Sequence, residues 1–265
     1  MSAVTVSGTT ALTTPARRMR ALARAELTLL GRTKGTLFGA LFVPLVMPFS
    51  LHQAADGMDL KGAGLSVGSV VVPGAIGVSV LFAVYTALTT VFAARREELV
   101  LKRLRTGELR DAEILAGAAL PSVTIGLTQS VVLAVGCVAV LDAGAPSAPH
   151  LAVIGVLLGL VMFAALAAVT ASLSRSVESA QVMSMPLAFT SMFASGLFIP
   201  FEVMPDKLAS VCELLPLSPV ITLVRGGWTG NLSGYETLGA VATAVAWTVV
   251  SVFAVRRWFR WEPRR

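Results

Sequence analysis

Residues 94–117 read ARREELVLKRLRTGELRDAEILAG. This dense block of charge lies between two long apolar runs, 67–94 and 114–141, and that setting decides the fold. Each run exceeds the roughly 20 residues a helix needs to cross about 30 Å of hydrocarbon. Inside the block, Glu98 and Lys102 stand four residues apart, and Glu97, Leu101 and Leu104 make an adjoining stripe. Gly107 is placed to end a helix in the left-handed conformation. The spacing predicts a short helix in water, with basic sides and a leucine ridge, joined to two membrane-spanning helices. A solvated loop explains the charge equally well. Orderly spacing, a glycine stop and protruding leucines favour a knob that docks on a partner.

Composition supports a membrane setting. Of 265 residues, 55% are hydrophobic and only 14% charged, against about 25% charged in a soluble domain. Mean hydropathy is +0.79. The net charge of +6 does not point to nucleic acid, because the basic residues flank the apolar runs and form no basic domain. Cys137 and Cys212 have no metal-ligand spacing; a disulfide between them is geometrically conceivable, but two unrelated free thiols are the favoured reading.

Working outward, six apolar spans are expected, at about 36–55, 67–94, 114–141, 151–173, 182–199 and 237–255. No long polar/apolar alternation suggests a barrel, so the spans are read as helices. Residues 1–14 form a small, polar tail. Residues 15–34 read as an amphipathic helix lying in the headgroup plane. Met19, Leu22, Ala23, Leu27, Leu29 and Leu30 share one face, and Arg17, Arg18, Arg20, Arg24 and Arg32 the other. Glu26 falls within the apolar face, where it either snorkels or pairs with a basic residue of the central block. Eighteen of the 21 lysines and arginines flank one side of the expected spans, leaving Lys61, Lys207 and Arg225 on the other. By the positive-inside rule both termini are cytoplasmic, including the basic tail 256–265. On the outer side, 200–236 is broken by prolines into two helices too short to span, about 205–215 and 220–228, which reads as interfacial or re-entrant.

The run Leu101-Lys102-Arg103-Leu104-Arg105-Thr106-Gly107 resembles the LKRLRxxP/G segment of ABC-2 type permeases, the membrane subunits of ATP-binding-cassette exporters. Further matches are Arg175, Glu178 and Ala180-Gln181, then Ser195-Gly196-Leu197-Phe198-Ile199-Pro200, Met204-Pro205, Leu215-Pro216-Leu217-Ser218-Pro219 and Arg225-Gly226. The resemblance runs from about Pro15 through almost the whole chain and is closest to the daunorubicin-resistance-like branch of drug and antibiotic exporters. Gly107-Glu108 and Met204 depart from the common pattern.

The resemblance implies an all-α polytopic membrane domain over 15–255, with an N-terminal elbow helix, a cytosolic coupling helix and short re-entrant outer helices. It implies a bacterial plasma-membrane permease moving an amphipathic drug, antibiotic or lipid-like molecule outward. The coupling role falls on Glu97, Glu98, Leu101, Lys102, Arg103, Leu104, Arg105 and Thr106, with Gly107 as hinge. Residues 174–181 resemble a second, smaller cytosolic contact. The partners implied are two copies of an ABC ATPase and a second permease copy, as a homodimer.

No phosphate-binding loop is present: Gly31-Arg32-Thr33-Lys34-Gly35-Thr36 lacks GxxxxGK[ST]. The chain is therefore expected to bind no cofactor and to catalyse nothing itself, with ATP and Mg handled by the ATPase. Phe82, Tyr85, Phe189, Met192 and Phe193 are candidates for an apolar substrate wall, although such side chains on a membrane helix more often face lipid or a neighbouring helix. An ion-coupled transporter is the alternative, but the spans carry almost no ionisable group for a relay. An intramembrane hydrolase would need a Ser, Asp or His constellation at depth, and His52 and His150 both fall at span ends.

Overall fold

The structure, a computed structural model, describes residues 67–106, 109–140, 143–197, 201, 204–259 and 261, together with Arg24, Thr28, Val46 and Gln53. Apart from those four residues, the expected tail 1–14, the amphipathic stretch with Glu26, the first span at 36–55 and the hinge Gly107 lie outside the described residues. All the elements described are helical: α1 (Val67–Ser79), a π-helical segment (Val80–Thr86), α2 (Ala87–Glu97), α3 (Val100–Arg105), α4 (Asp111–Val140), α5 (Pro149–Leu173), α6 (Val177–Ala194), α7 (Asp206–Cys212), α8 (Ser218–Thr229) and α9 (Gly234–Trp258).

Among the described residues four helices are long and apolar enough to cross a membrane: Gly68–Glu97, which joins α1, the π segment and α2, then Asp111–Val140, Pro149–Leu173 and Gly234–Trp258. They correspond to the second, third, fourth and sixth expected spans. The fifth differs. Helix α6 starts at Val177 and ends at Ala194, several residues before the 182–199 expected. Its 18 residues rise about 27 Å, but Glu178, Ser179, Gln181, Ser184, Thr190 and Ser191 dilute its apolar character. The first expected span is not among the described residues.

Helix Gly68–Glu97 forms the middle of the bundle. Val71, Val72, Ile76, Val80, Leu81, Val84, Leu88 and Phe92 are all buried. Its π segment is flanked by two polar links to neighbours. Ser79 Oγ donates to Gln129 Oε1 of α4 at 3.0 Å, and Tyr85 Oη lies 3.0 Å from Thr170 Oγ1 of α5. Such pairs satisfy polar side chains that would otherwise be costly at depth.

By contrast, α4, α5 and α9 turn apolar faces outward. Val131, Val132 and Val135 on α4, Val153, Leu157 and Val161 on α5, and Val245, Val249 and Phe253 on α9 are exposed. In water such a belt would be a large unprotected patch. Against hydrocarbon it is the expected surface, so the chain is a membrane protein.

Close packing holds the outer helices. Gly155 and Gly159 of α5 form a GxxxG pair facing α8. A Cβ at Gly159 would meet Val220 at 2.8 Å, and one at Gly155 would meet Leu223 at 2.8 Å. Helix α8 has 12 residues, too few to span, and lies buried against α5 and α1. The two short outer helices thus occur as α7 and α8, close to their expected positions. Cys137 and Cys212 are free and buried.

Candidate functional site

One end of the bundle gathers the charged block. Helix α2 does not continue into a single coupling helix. The chain breaks at Leu99, which adopts a left-handed conformation with φ 58°, and α3 restarts for six residues at Val100. Glu98 and Lys102 therefore stand on opposite sides of a break, and the i,i+4 relation expected of one continuous helix does not apply. The leucine ridge is also split. Leu101 is 0% exposed and belongs inside the fold, whereas Leu104 is half-buried. Glu97, Glu98, Lys102, Arg103, Arg105 and Thr106 are exposed.

The two residues before the break do structural work that the charge pattern concealed. Arg96 is buried at 1% exposure. Its Nη1 donates to the carbonyl of Ala171 at 2.7 Å and its Nη2 to the carbonyl of Ser174 at 2.9 Å. These lie at the C-terminus of α5, where carbonyls lack helical partners and a cation suits the dipole. Next to it, Glu97 Oε1 accepts from the backbone N–H of Val177 at 2.8 Å. Val177 opens α6, where a carboxylate suits the positive end. Adjacent residues of opposite charge thus grip two helix ends on either side of the turn at 174–176.

That turn is itself well capped. Ser176 accepts from the Ser179 N–H, and the Ser179 hydroxyl receives from the Ser176 N–H in return. The Glu178 carboxyl is held below the usual carboxylate range, first by its own backbone N–H and then by the Ser176 hydroxyl. The structure therefore brings the 174–181 segment against the end of α2. On the far side of α3, Arg105 Nε pairs with Asp111 Oδ1 at 3.0 Å, and its guanidinium lies 4.9 Å from the ring centre of Trp261. The C-terminal end of α9 therefore shares this end of the molecule.

The opposite end has a second buried arginine. Arg225 of α8 donates from Nε to the Ser69 carbonyl at 3.2 Å and from Nη2 to the Gly196 carbonyl at 2.6 Å. It ties α8 to the start of α1 and to the turn after α6. Both arginines extend an apolar stripe with four-residue spacing: Leu88, Phe92, Arg96 and Leu217, Ile221, Arg225. That register is the signal from which their burial could have been read.

The five candidate pathway residues divide into an inward and an outward set. Tyr85 is fully buried, its ring 5.8 Å from that of Phe163. Met192 is also buried, and Phe82 packs against the same core. Phe189 and Phe193 face outward on α6, 47% and 59% exposed, with their rings stacked at 6.4 Å.

No curated protein matches the chain significantly. The family model described as ABC-2 type transporter matches residues 17–228, a stretch that contains α1 to α7 and ends within α8. Since that match covers most of the chain and includes both buried arginines and the charged end, the chain belongs to the ABC-2 type transporter family.

Proposed function

We propose that the chain is the membrane-spanning permease subunit of an ATP-driven exporter. Members of this family normally work with an ABC ATPase partner. Two such ATPases would seat on α3 and on the adjoining 174–181 turn, with ATP and Mg held entirely by them. A second, identical permease would complete the assembly in a bacterial plasma membrane, with both termini cytoplasmic. Its cargo would be an amphipathic drug, antibiotic or lipid-like molecule, as in the daunorubicin-resistance-like branch.

The observation that carries this reading is the junction at Arg96 and Glu97. Exposed basic side chains of α3 sit one break away from two residues that grip the ends of α5 and α6. A push on α3 would reach three long helices through buried, charge-assisted hydrogen bonds, which transmit displacement because they do not stretch. In this reading α3 is not a straight extension of a span. It is a separate lever joined at Leu99, with Lys102, Arg103, Leu104, Arg105 and Thr106 as its docking face and Leu101 anchoring it.

The test is co-purification, in mild detergent, of the tagged chain with the ATPase encoded beside its gene. Arg103→Glu and Leu104→Glu reverse or add charge on the docking face. The reading expects association with the wild-type chain and its loss in both variants, with unchanged melting temperature. A well-folded wild-type chain that captures no ATPase would defeat it.

A further inference from the structure

A cavity of about 700 Å³ opens at the charged end, between α2, α4, α5 and α9. It shares only Arg105 with the docking face and takes none of the outward aromatics of α6. Its floor is made of small side chains. Ala112, Ala116 and Ala119 recur at helical spacing on α4, and Ala164 and Ala168 do so on α5. Its mouth is polar and basic. Arg105, Arg110 and Arg256 stand there with one lining carboxylate, Asp111, which is already paired with Arg105; Glu113, outside the lining, accepts from the backbone N–H of Arg110 at 2.9 Å. Arg110 and Arg256 are exposed, and their guanidinium groups make no hydrogen bond or ion pair among the described residues. Phe259 and Trp261 close one side, their rings edge to face at 5.1 Å.

We propose that this cavity is a binding site for an anionic membrane phospholipid, with its phosphate on Arg110 and Arg256 and an acyl chain along the alanine floor. Three observations select that occupant. The volume falls within the roughly 300–1,000 Å³ of small-molecule sites. An apolar trough beneath a cationic mouth matches one molecule with an anionic head and a hydrocarbon tail, and basic pockets between membrane helices select such heads. The aromatic pair lies where Trp rings mark the membrane–water boundary. The N-terminal segment 15–34 does not complement this mouth: it carries six basic side chains and only Glu26, and like charge sets it against the arginines.

The experiment is native mass spectrometry of the delipidated full chain in detergent, titrated with dioleoyl phosphatidylglycerol, dioleoyl phosphatidylcholine or inorganic phosphate. Two arginines near the surface should favour the anionic lipid by about 30-fold over the zwitterionic one, and phosphate alone should bind far more weakly than either. The pair Arg110→Gln with Arg256→Gln should reduce the anionic lipid to the level of phosphatidylcholine. Ala116→Leu, which fills the trough from an exposed position, should weaken both lipids. Arg257→Gln, next in sequence but not lining the cavity, should change nothing. Melting temperatures without lipid check that every variant is folded. Equal binding of both lipids by the wild type would overturn the proposal. So would full phosphatidylglycerol preference in the double variant, as expected if the lipid belt, or another segment of the chain, occupies the site instead.

Discussion

Arg96 and Glu97 sit among eleven charged residues of a block that a composition argument treats as one patch, yet each has a separate partner. Arg96 is drawn inward because two carbonyls at the end of α5 have no helical donor. Replacing it with Met keeps much of the volume and removes both donors. The Ala171 carbonyl still accepts from the Ser174 hydroxyl at 2.7 Å, so the Ser174 carbonyl is the group that loses its partner. A buried carbonyl left without a partner costs about 1–3 kcal/mol, so Arg96→Met should lower stability by about 2 kcal/mol, seen as a fall in melting temperature in detergent. Unchanged melting would mean that water or another donor serves that carbonyl. The two leucines of α3 give a sharper contrast. Leu101→Glu buries a charge at a site with no solvent access and should cost at least about 3 kcal/mol, with loss of folded yield. Leu104→Glu, at a half-buried position, should leave folding near wild type. Equal effects of the two on stability would contradict the placement of α3.

At the scale of elements, the contact between α5 and α8 depends on the absence of side chains. Gly159 meets the side chain of Val220, and Gly155 that of Leu223, at distances that leave no room for a Cβ without movement. Without a hydrophobic drive between helices in lipid, such close backbone approach supplies much of the association. Gly159→Leu should therefore separate the helices and cost about 1–3 kcal/mol, measured as a lower melting temperature. Gly136 on α4 has nothing within 4 Å of its would-be Cβ, so Gly136→Leu is the control and should be neutral or slightly stabilising. A matching loss at both glycines would point to a general effect of bulk rather than to this contact. The GxxxG spacing was visible in the sequence. Its partner was not, because α8 reads only as a short, proline-opened apolar run, and no periodicity indicates which helix such a run packs on.

For the whole molecule, what was legible followed from hydropathy. The runs at 67–94, 114–141, 151–173 and 237–255 are long and unbroken, and helices cover all four. Helix α6 ends before the expected position because the backbone turns at Gly196 with φ 72°, whereas hydropathy resumes beyond it at Leu197-Phe198-Ile199. The break at Leu99 was hidden because leucine carries no turn signal, and a left-handed leucine is held by its surroundings rather than by its own preference. The pathway candidates divide into buried and outward residues for a related reason: sequence reports that a side chain is aromatic, not which side of the helix is covered. Tyr85 is taken by Thr170 and Phe163, which leaves Phe189 and Phe193 as the outward pair.

Under the two-copy proposal that pair acquires a specific meaning. An exporter built from two permeases encloses its pathway between copies, so the exposed aromatics of α6 would face the second chain, while Val249 of α9, equally outward, would face lipid. Cysteine cross-linking separates these environments, and the native thiols Cys137 and Cys212 are buried and give little background. Phe193→Cys should form a disulfide-linked dimer under mild oxidation in membranes, and Val249→Cys should stay monomeric on a non-reducing gel. Cross-linking at Val249 with none at Phe193 would place the partner on α9 and remove the outward aromatics of α6 from the pathway.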